Sequence, residues 1–290
     1  MSTCKILDTF PPFLAVWHAT QGSSTNEQID AWFDRYMSQW PELLQKQLDD
    51  YASLDESWRA TASERIFPVS PERLSAMQVA HDNLLRVCSD VYKRCQQVTG
   101  FDSDLVCVIY VGLGCGAGWA TDYDGKPAIL FGLENIAEEG WQETETLEGL
   151  MAHELGHLVH FGWREQADLP NEDSPWWQLY TEGFAQRCEE IILDRPSWHM
   201  RKSSPENRWQ EWCQENLGWL ASEFLRRVDQ GEDIRPFFGS WFDLRGHKQT
   251  GYFLGHELIK VLQEQMSLRE VSLLTNIESH LHPLLTQIAI

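Results

Sequence analysis

The sequence predicts an α+β protein, mainly helical, with a small mixed or antiparallel sheet. Three observations lead there. Apolar residues recur at three- and four-residue spacing over long stretches at both ends of the chain, the period of amphipathic helices. β-rich runs without that period are confined to the middle, between residues 105 and 133. With 290 residues, 42% hydrophobic and 23% charged, the chain can bury a sizeable core. The patterns divide into an N-terminal helical region, 1–100, and a region 101–290 that carries the sheet and a helical C-terminal part, packed as one unit.

In chain order, residues 1–24 begin extended, with a short apolar run broken by Pro11-Pro12, and end in the polar turn Gln21-Gly22-Ser23-Ser24. Thr25 and Gln28 match a capping box, and Ile29, Trp32, Phe33, Tyr36 and Trp40 then mark one helix face. Pro41 interrupts this helix, and Leu44, Leu48 and Tyr51 continue it. Ser70-Pro71 reads as an N-cap and first helical residue, opening a helix that ends at Gly100. His81 on that helix belongs to the edge of a core.

Leu105–Val111 is a continuous β-rich run, hence a buried strand. The stretch Gly112–Gly118 superficially matches the dinucleotide fingerprint GxGxxA, which requires a helix directly afterwards. Instead Asp124-Gly125 separates two β-prone stretches, a hairpin signal, so the nucleotide reading is discarded. Pro127 places the strand Ala128–Gly132 at a sheet edge, just before the next helix. The acidic stretch Glu138–Glu148 suits a helix N-terminus.

That helix holds the most informative residues. Leu147–Gly162 reads LEGLMAHELGHLVHFG, with Leu147, Leu150, Met151, Leu158 and Phe161 at helical spacing and Gly162 in place as a C′ stop. His153-Glu154-Leu155-Gly156-His157 is an HExxH. Positions four apart share a helix face, so both imidazoles can converge on one metal ion. Glu154, rotated by about 100°, reaches a water at the ion without ligating it. A catalytic zinc site needs a third protein ligand. After a loop rich in charge and turn formers, Ser174-Pro175 opens a second helix, and Glu182 in its second turn completes a His₂Glu set around one zinc ion. Gly183 beside it permits close helix approach, and Cys188 on the same helix reads as a core thiol.

HELGH followed by TEGFA resembles the gluzincin metallopeptidases, whose third ligand is a Glu from a downstream helix. More narrowly, the chain is similar to a bacterial family described only as predicted zinc-dependent proteases. The similarity runs from the strand near Val106 to the helix near Leu262, with sharp motifs only over residues 153–186. The resemblance implies a zincin-like fold whose edge strand pairs with the substrate backbone, and an oxyanion donor from a later helix. Tyr252 is the first candidate for that donor and His256 the second. Glu134-Asn135 is similar to a substrate-amine site of gluzincin aminopeptidases and reads equally as a strand-to-helix turn. The metzincin pattern is rejected, because His160 and Trp163 stand where its glycine and third histidine belong. Thermolysin-like members place Asp four residues after the ligand Glu to orient a zinc-bound His; here Gln186 stands there, with an amide oxygen able to accept the same hydrogen bond. The echo His256-Glu257 carries Lys260 in place of a second His and makes no second site.

A net charge of −21 disfavours nucleic acid and anionic membrane surfaces. No apolar run is long enough to span a bilayer, and the N-terminus lacks a signal-peptide pattern. Seven scattered cysteines with no CxxC pair fit reduced thiols in a cytoplasm. The expected function is zinc-dependent hydrolysis of a peptide or protein substrate, with Glu154 as general base. Its rivals are a non-enzymatic protein in which zinc braces two helices, and a zinc hydrolase of a non-peptide amide.

Overall fold

The computed structural model describes residues 2–200 and 208–289; residues 201–207, part of the expected helical tail, lie outside them. β1 (Cys4–Asp8) is followed by α1 (Phe10–Ala19), α2 (Thr25–Ala31), α3 (Pro41–Ser53), α4 (Trp58–Thr61) and the long α5 (Ser70–Thr99). Next come β2 (Leu105–Tyr110), β3 (Trp119–Tyr123), β4 (Lys126–Gly132), α6 (Leu133–Glu139), α7 (Thr144–Gln166) and α8 (Pro175–Leu193). The chain then continues through α9 (Trp209–Glu215), α10 (Leu217–Gln230), α11 (Arg235–Phe238), α12 (Thr250–Gln263), α13 (Leu268–Ser272) and α14 (Ile277–Ile288). Helices dominate, and the strands form one four-stranded mixed sheet, the α+β class expected.

The chain divides into two compact units, residues 1–92 with 102–151, and residues 93–101 with 152–290. This is not the 1–100/101–290 division. β1 pairs in parallel with β2, and β2 with β4, so the N-terminal segment and the central strands build one sheet and one unit.

In the first unit the sheet order is β1-β2-β4-β3, with β3 antiparallel to β4. β2 is buried along its whole length, as its unbroken apolar run predicts. The expected edge position of Ala128–Gly132 is overturned: β4 lies between β2 and β3, and the edges are β1 and β3. The reason lies in the register. Tyr123↔Lys126 closes the hairpin, so Asp122↔Pro127 is a pair that exchanges no ladder hydrogen bonds. Pairing with β2 begins only at Ala128. The missing N–H of Pro127 is therefore never called for. The turn itself follows expectation: Asp124 and Gly125 have φ of 51° and 67°, the two left-handed residues of a type I′ hairpin.

The N-terminal helices differ in detail from expectation. Residues 10–19 are helical, because Pro11 and Pro12 occupy the first turn, where no N–H is needed. The capping box falls one residue earlier, on Ser24 and Glu27. Ser70 is no cap; its hydroxyl donates back to the Ile66 carbonyl at 2.7 Å. Aromatic side chains then tie the helices to the chain after β2: Trp32 Nε1 donates to Val111 O (2.9 Å), and the Tyr51 hydroxyl donates to Leu113 O (2.6 Å).

The glycine-rich stretch wraps the chain's own carboxylate. Glu134 accepts hydrogen bonds from Gly112 N at 2.8 Å and Gly114 N at 3.1 Å. Its carboxylate is thus committed to the loop. Burial pushes the Glu134 carboxyl up to about 7, and the backbone amides of Gly112, Gly114 and Glu134 itself only partly offset that. The group binds its proton more tightly folded than unfolded, where 4.5 applies. Its contribution to stability is full below the unfolded value and is lost as pH rises through the folded one. Measured by urea unfolding, the wild type should lose stability relative to Glu134→Gln between about pH 5 and about pH 7.5, by at most about 3 kcal/mol. Parallel pH courses for the two proteins would contradict this assignment.

Candidate metal centre

Every residue of the candidate centre lies in the second unit. α7 carries His153, Glu154 and His157 and does not stop at Gly162. The turn comes later because other groups satisfy the last carbonyls. The Ala167 and Leu169 amides bond to Arg164 O at 3.1 and 3.0 Å, and Asp168 takes the left-handed conformation with φ 55°. The Arg164 side chain is buried, lies over the Trp177 ring and donates to the carbonyls of Pro170, Ser272 and Leu274. α8 starts as expected, with Ser174 Oγ accepting from Trp177 N at 3.1 Å and Pro175 in the first turn.

The two helices bring the three expected ligands together. Glu182 Oε2 lies 3.2 Å from His153 Nε2 and 3.3 Å from His157 Nε2. A tetrahedral ion with bonds of about 2.0–2.1 Å separates its ligand atoms by roughly 3.3–3.4 Å, so this donor set fits zinc. Exposure rises across the cluster, from 2% at the His153 side chain to 11% at His157 and 18% at Glu182. Solvent therefore approaches from the side of His157 and Glu182. Glu154 is buried beside the two histidines.

The electrostatics follow from burial and from Glu182. Burial dominates at His153 and lowers its pKa, favouring the neutral imidazole that a metal requires. For His157 burial also acts downward, but the Glu182 carboxylate outweighs it and the pKa rises. Burial would raise Glu182, yet His157 and His153 together hold it well below the usual carboxylate range.

The other edge of His153 faces groups that sequence reasoning missed. Its Nδ1 lies 4.0 Å from Glu189 Oε2 and has no hydrogen-bond partner. Glu189 is fully buried and accepts from Ser197 Oγ (2.6 Å), His199 N (3.1 Å) and His199 Nδ1 (2.7 Å). Gln186, the residue expected to orient a histidine, instead donates Nε2 to Ser197 O at 2.8 Å. The signal available for Glu189 is its spacing of seven from Glu182, two turns along one face. Ser197 and His199 follow α8 without periodic pattern.

The two oxyanion candidates separate. The Tyr252 ring lies 5.4 Å from the His153 ring. His256, one turn further along α12, binds Glu257 through Nδ1 at 3.0 Å and Glu190 through Nε2 at 3.1 Å, with its ring 4.7 Å from Trp198. His160 packs on Phe184 at 4.6 Å, and its burial and the Arg164 charge drive its pKa well below the ordinary value, so it is a neutral core residue. Cys188 is buried, as expected of a core thiol.

Glycines set the helix spacing. A Cβ on Gly156, inside the HELGH motif, would sit 2.7 Å from Cys188 Cβ and 2.8 Å from Ala185 Cα, so this position seats α7 on α8. Gly183 does permit a close helix approach, and the helix it admits is α12: its Cβ would meet Gly255 backbone at 2.3 Å.

Comparisons with protein families, with curated proteins and with solved structures found no match.

Gly183→Ala should destabilise the protein by about 1–3 kcal/mol in urea unfolding, although Ala alone gains about 1 kcal/mol of helix propensity. Gly162→Ala is the control, since its Cβ would meet Phe101 at an ordinary 3.7 Å, and it should be neutral or stabilising. Equal effects of the two substitutions would show that the α8–α12 approach does not depend on Gly183.

Proposed function

We propose that the chain is a zinc-dependent peptidase that hydrolyses peptide bonds with Glu154 as general base. The observation that carries this reading is the meeting of His153, His157 and Glu182 at one point, with access rising toward Glu182. Three protein ligands with a side open to solvent are the pattern of a catalytic zinc; an ion that only braced helices would call for a closed set of four. Glu154 adds to this, because a bracing site has no use for a carboxylate beside its ligands.

Zinc, when bound, supplies a Lewis acid that lowers the pKa of water from 15.7 to about 7. His153 and His157 present their Nε2 atoms, and Glu182 supplies the charged oxygen. Glu154 takes the proton from the attacking water and passes it to the leaving amine. Tyr252, whose ring lies 5.4 Å from that of His153, donates its hydroxyl hydrogen bond to the developing oxyanion in this reading. His256 has both ring nitrogens engaged by Glu190 and Glu257 and is left out of this role.

The substrate class is a peptide or protein. Among the described residues no helix is long and apolar enough to cross a membrane. A proteome-derived peptide library, assayed with zinc and with chelator, tests the activity, and cleavage only of small amides would favour a non-peptide hydrolase. Glu154→Gln should keep its zinc while kcat/KM falls by about 10²–10⁴-fold. Unchanged turnover in that variant would remove Glu154 as the base. Tyr252→Phe should lower kcat by about 10²-fold with little change in zinc content, and a wild-type kcat would remove the oxyanion role.

A further inference from the structure

We propose that Glu189, held in place by Ser197 and His199, is the positioning carboxylate of the metal centre. It accepts the Nδ1 hydrogen of His153 and so commits Nε2 to the ion. This rests on the zinc reading above and adds a residue that neither the HExxH nor the Glu182 helix motif assigns.

One imidazole meets a carboxylate at each of its two edges. His153 Nε2 faces Glu182 at 3.2 Å, and Nδ1 faces Glu189 at 4.0 Å. Nδ1 is buried and has no other partner, which for a polar atom is costly. Glu189 has the complementary vacancy. A carboxylate offers about four acceptor sites, two on each oxygen. Oε1 receives Ser197 Oγ and His199 N, while Oε2 receives His199 Nδ1. The remaining site is on Oε2, the oxygen nearest to His153 Nδ1. The separation exceeds a hydrogen bond by about 1 Å. Contacts of this kind are commonly long before the site is loaded.

The anchoring is rigid and local. Glu182 and Glu189 sit two turns apart on α8, so one helix presents one carboxylate to each edge of His153. Ser197 and His199 close over Glu189 from the segment that follows α8. His153, Glu189 and His199 also group as possible ligands of a second ion. That reading fails on distances: His199 Nδ1 lies 2.7 Å and His153 Nδ1 4.0 Å from Glu189 Oε2, where two ligands of one tetrahedral zinc stand roughly 3.3 Å apart. The structure assigns one ion and one orienting carboxylate.

The test uses the full chain. Wild type, Glu182→Ala and Glu189→Gln are compared by zinc stoichiometry and by competition with a chromogenic chelator, with circular dichroism as the check on folding. One zinc per wild-type chain, lost in Glu182→Ala, establishes the centre; Glu189→Gln should then bind zinc about 10–100-fold more weakly. Wild-type affinity in folded Glu189→Gln overturns the positioning role and leaves the centre standing. No zinc in the wild type overturns the centre, and two zinc ions per chain overturn the single-ion assignment. Should Glu189→Gln fail to fold, nuclear magnetic resonance of ¹⁵N-histidine-labelled, zinc-loaded wild type decides. The proposal requires a protonated Nδ1 on His153 with a strongly downfield proton, and the opposite tautomer overturns it.

Discussion

The second unit depends on how closely α8 is approached from two sides. Gly156 lets α7 press its backbone to that of α8, and Gly183 with Gly255 lets α12 do the same. Helix axes separated by ordinary side chains stand about 8–10 Å apart. Glycines at the crossings bring these backbones nearer than that. On these closely packed helices Glu182 lies against both imidazoles, and the Tyr252 ring lies near that of His153. Arg164 adds a second constraint, since its guanidinium collects three carbonyls, one beyond the end of α7 and two at the end of α13.

Charge sets the chemistry within that frame. Burying two imidazoles and two carboxylates without compensation would be costly, and each charge is answered locally. Glu182 lies against His153 and His157, and Glu189 against His199 and Ser197. The first carboxylate is partly open to solvent and the second is sealed. That difference separates a group suited to an exchangeable ion from one suited to holding a ring in place. In the first unit Glu134 shows the same economy, one carboxylate ordering a glycine-rich loop through its amides.

Much of the fold and of the His153–His157–Glu182 cluster was legible in the sequence where short-range geometry governs. The HExxH spacing, the Ser174-Pro175 start, the buried β2 run and the Asp124-Gly125 turn each depend on a few neighbouring residues. The misreadings share one cause, which is dependence on distant partners. Pro127 signals an edge only when its N–H would be called for, and the hairpin register removes that need. Gly162 signals a stop only when nothing else serves the last carbonyls, and Asp168 and the turn after Arg164 serve them. Gly183 does mark a close approach, but its partner helix lies far along the chain. Glu189 went unnoticed beside Gln186 because a local rule pointed to the position four residues after Glu182. The deciding contacts come from Ser197 and His199 beyond the helix end.

The central claim is that α7 and α8 jointly hold a divalent ion. The most direct test is a crystal of the zinc-loaded protein measured on both sides of the zinc absorption edge. The account requires one anomalous peak about 2.0–2.2 Å from His153 Nε2, His157 Nε2 and a Glu182 oxygen, with the remaining position facing solvent. A zinc-soaked crystal with no peak there, or with Glu182 turned away from both imidazoles, would contradict it.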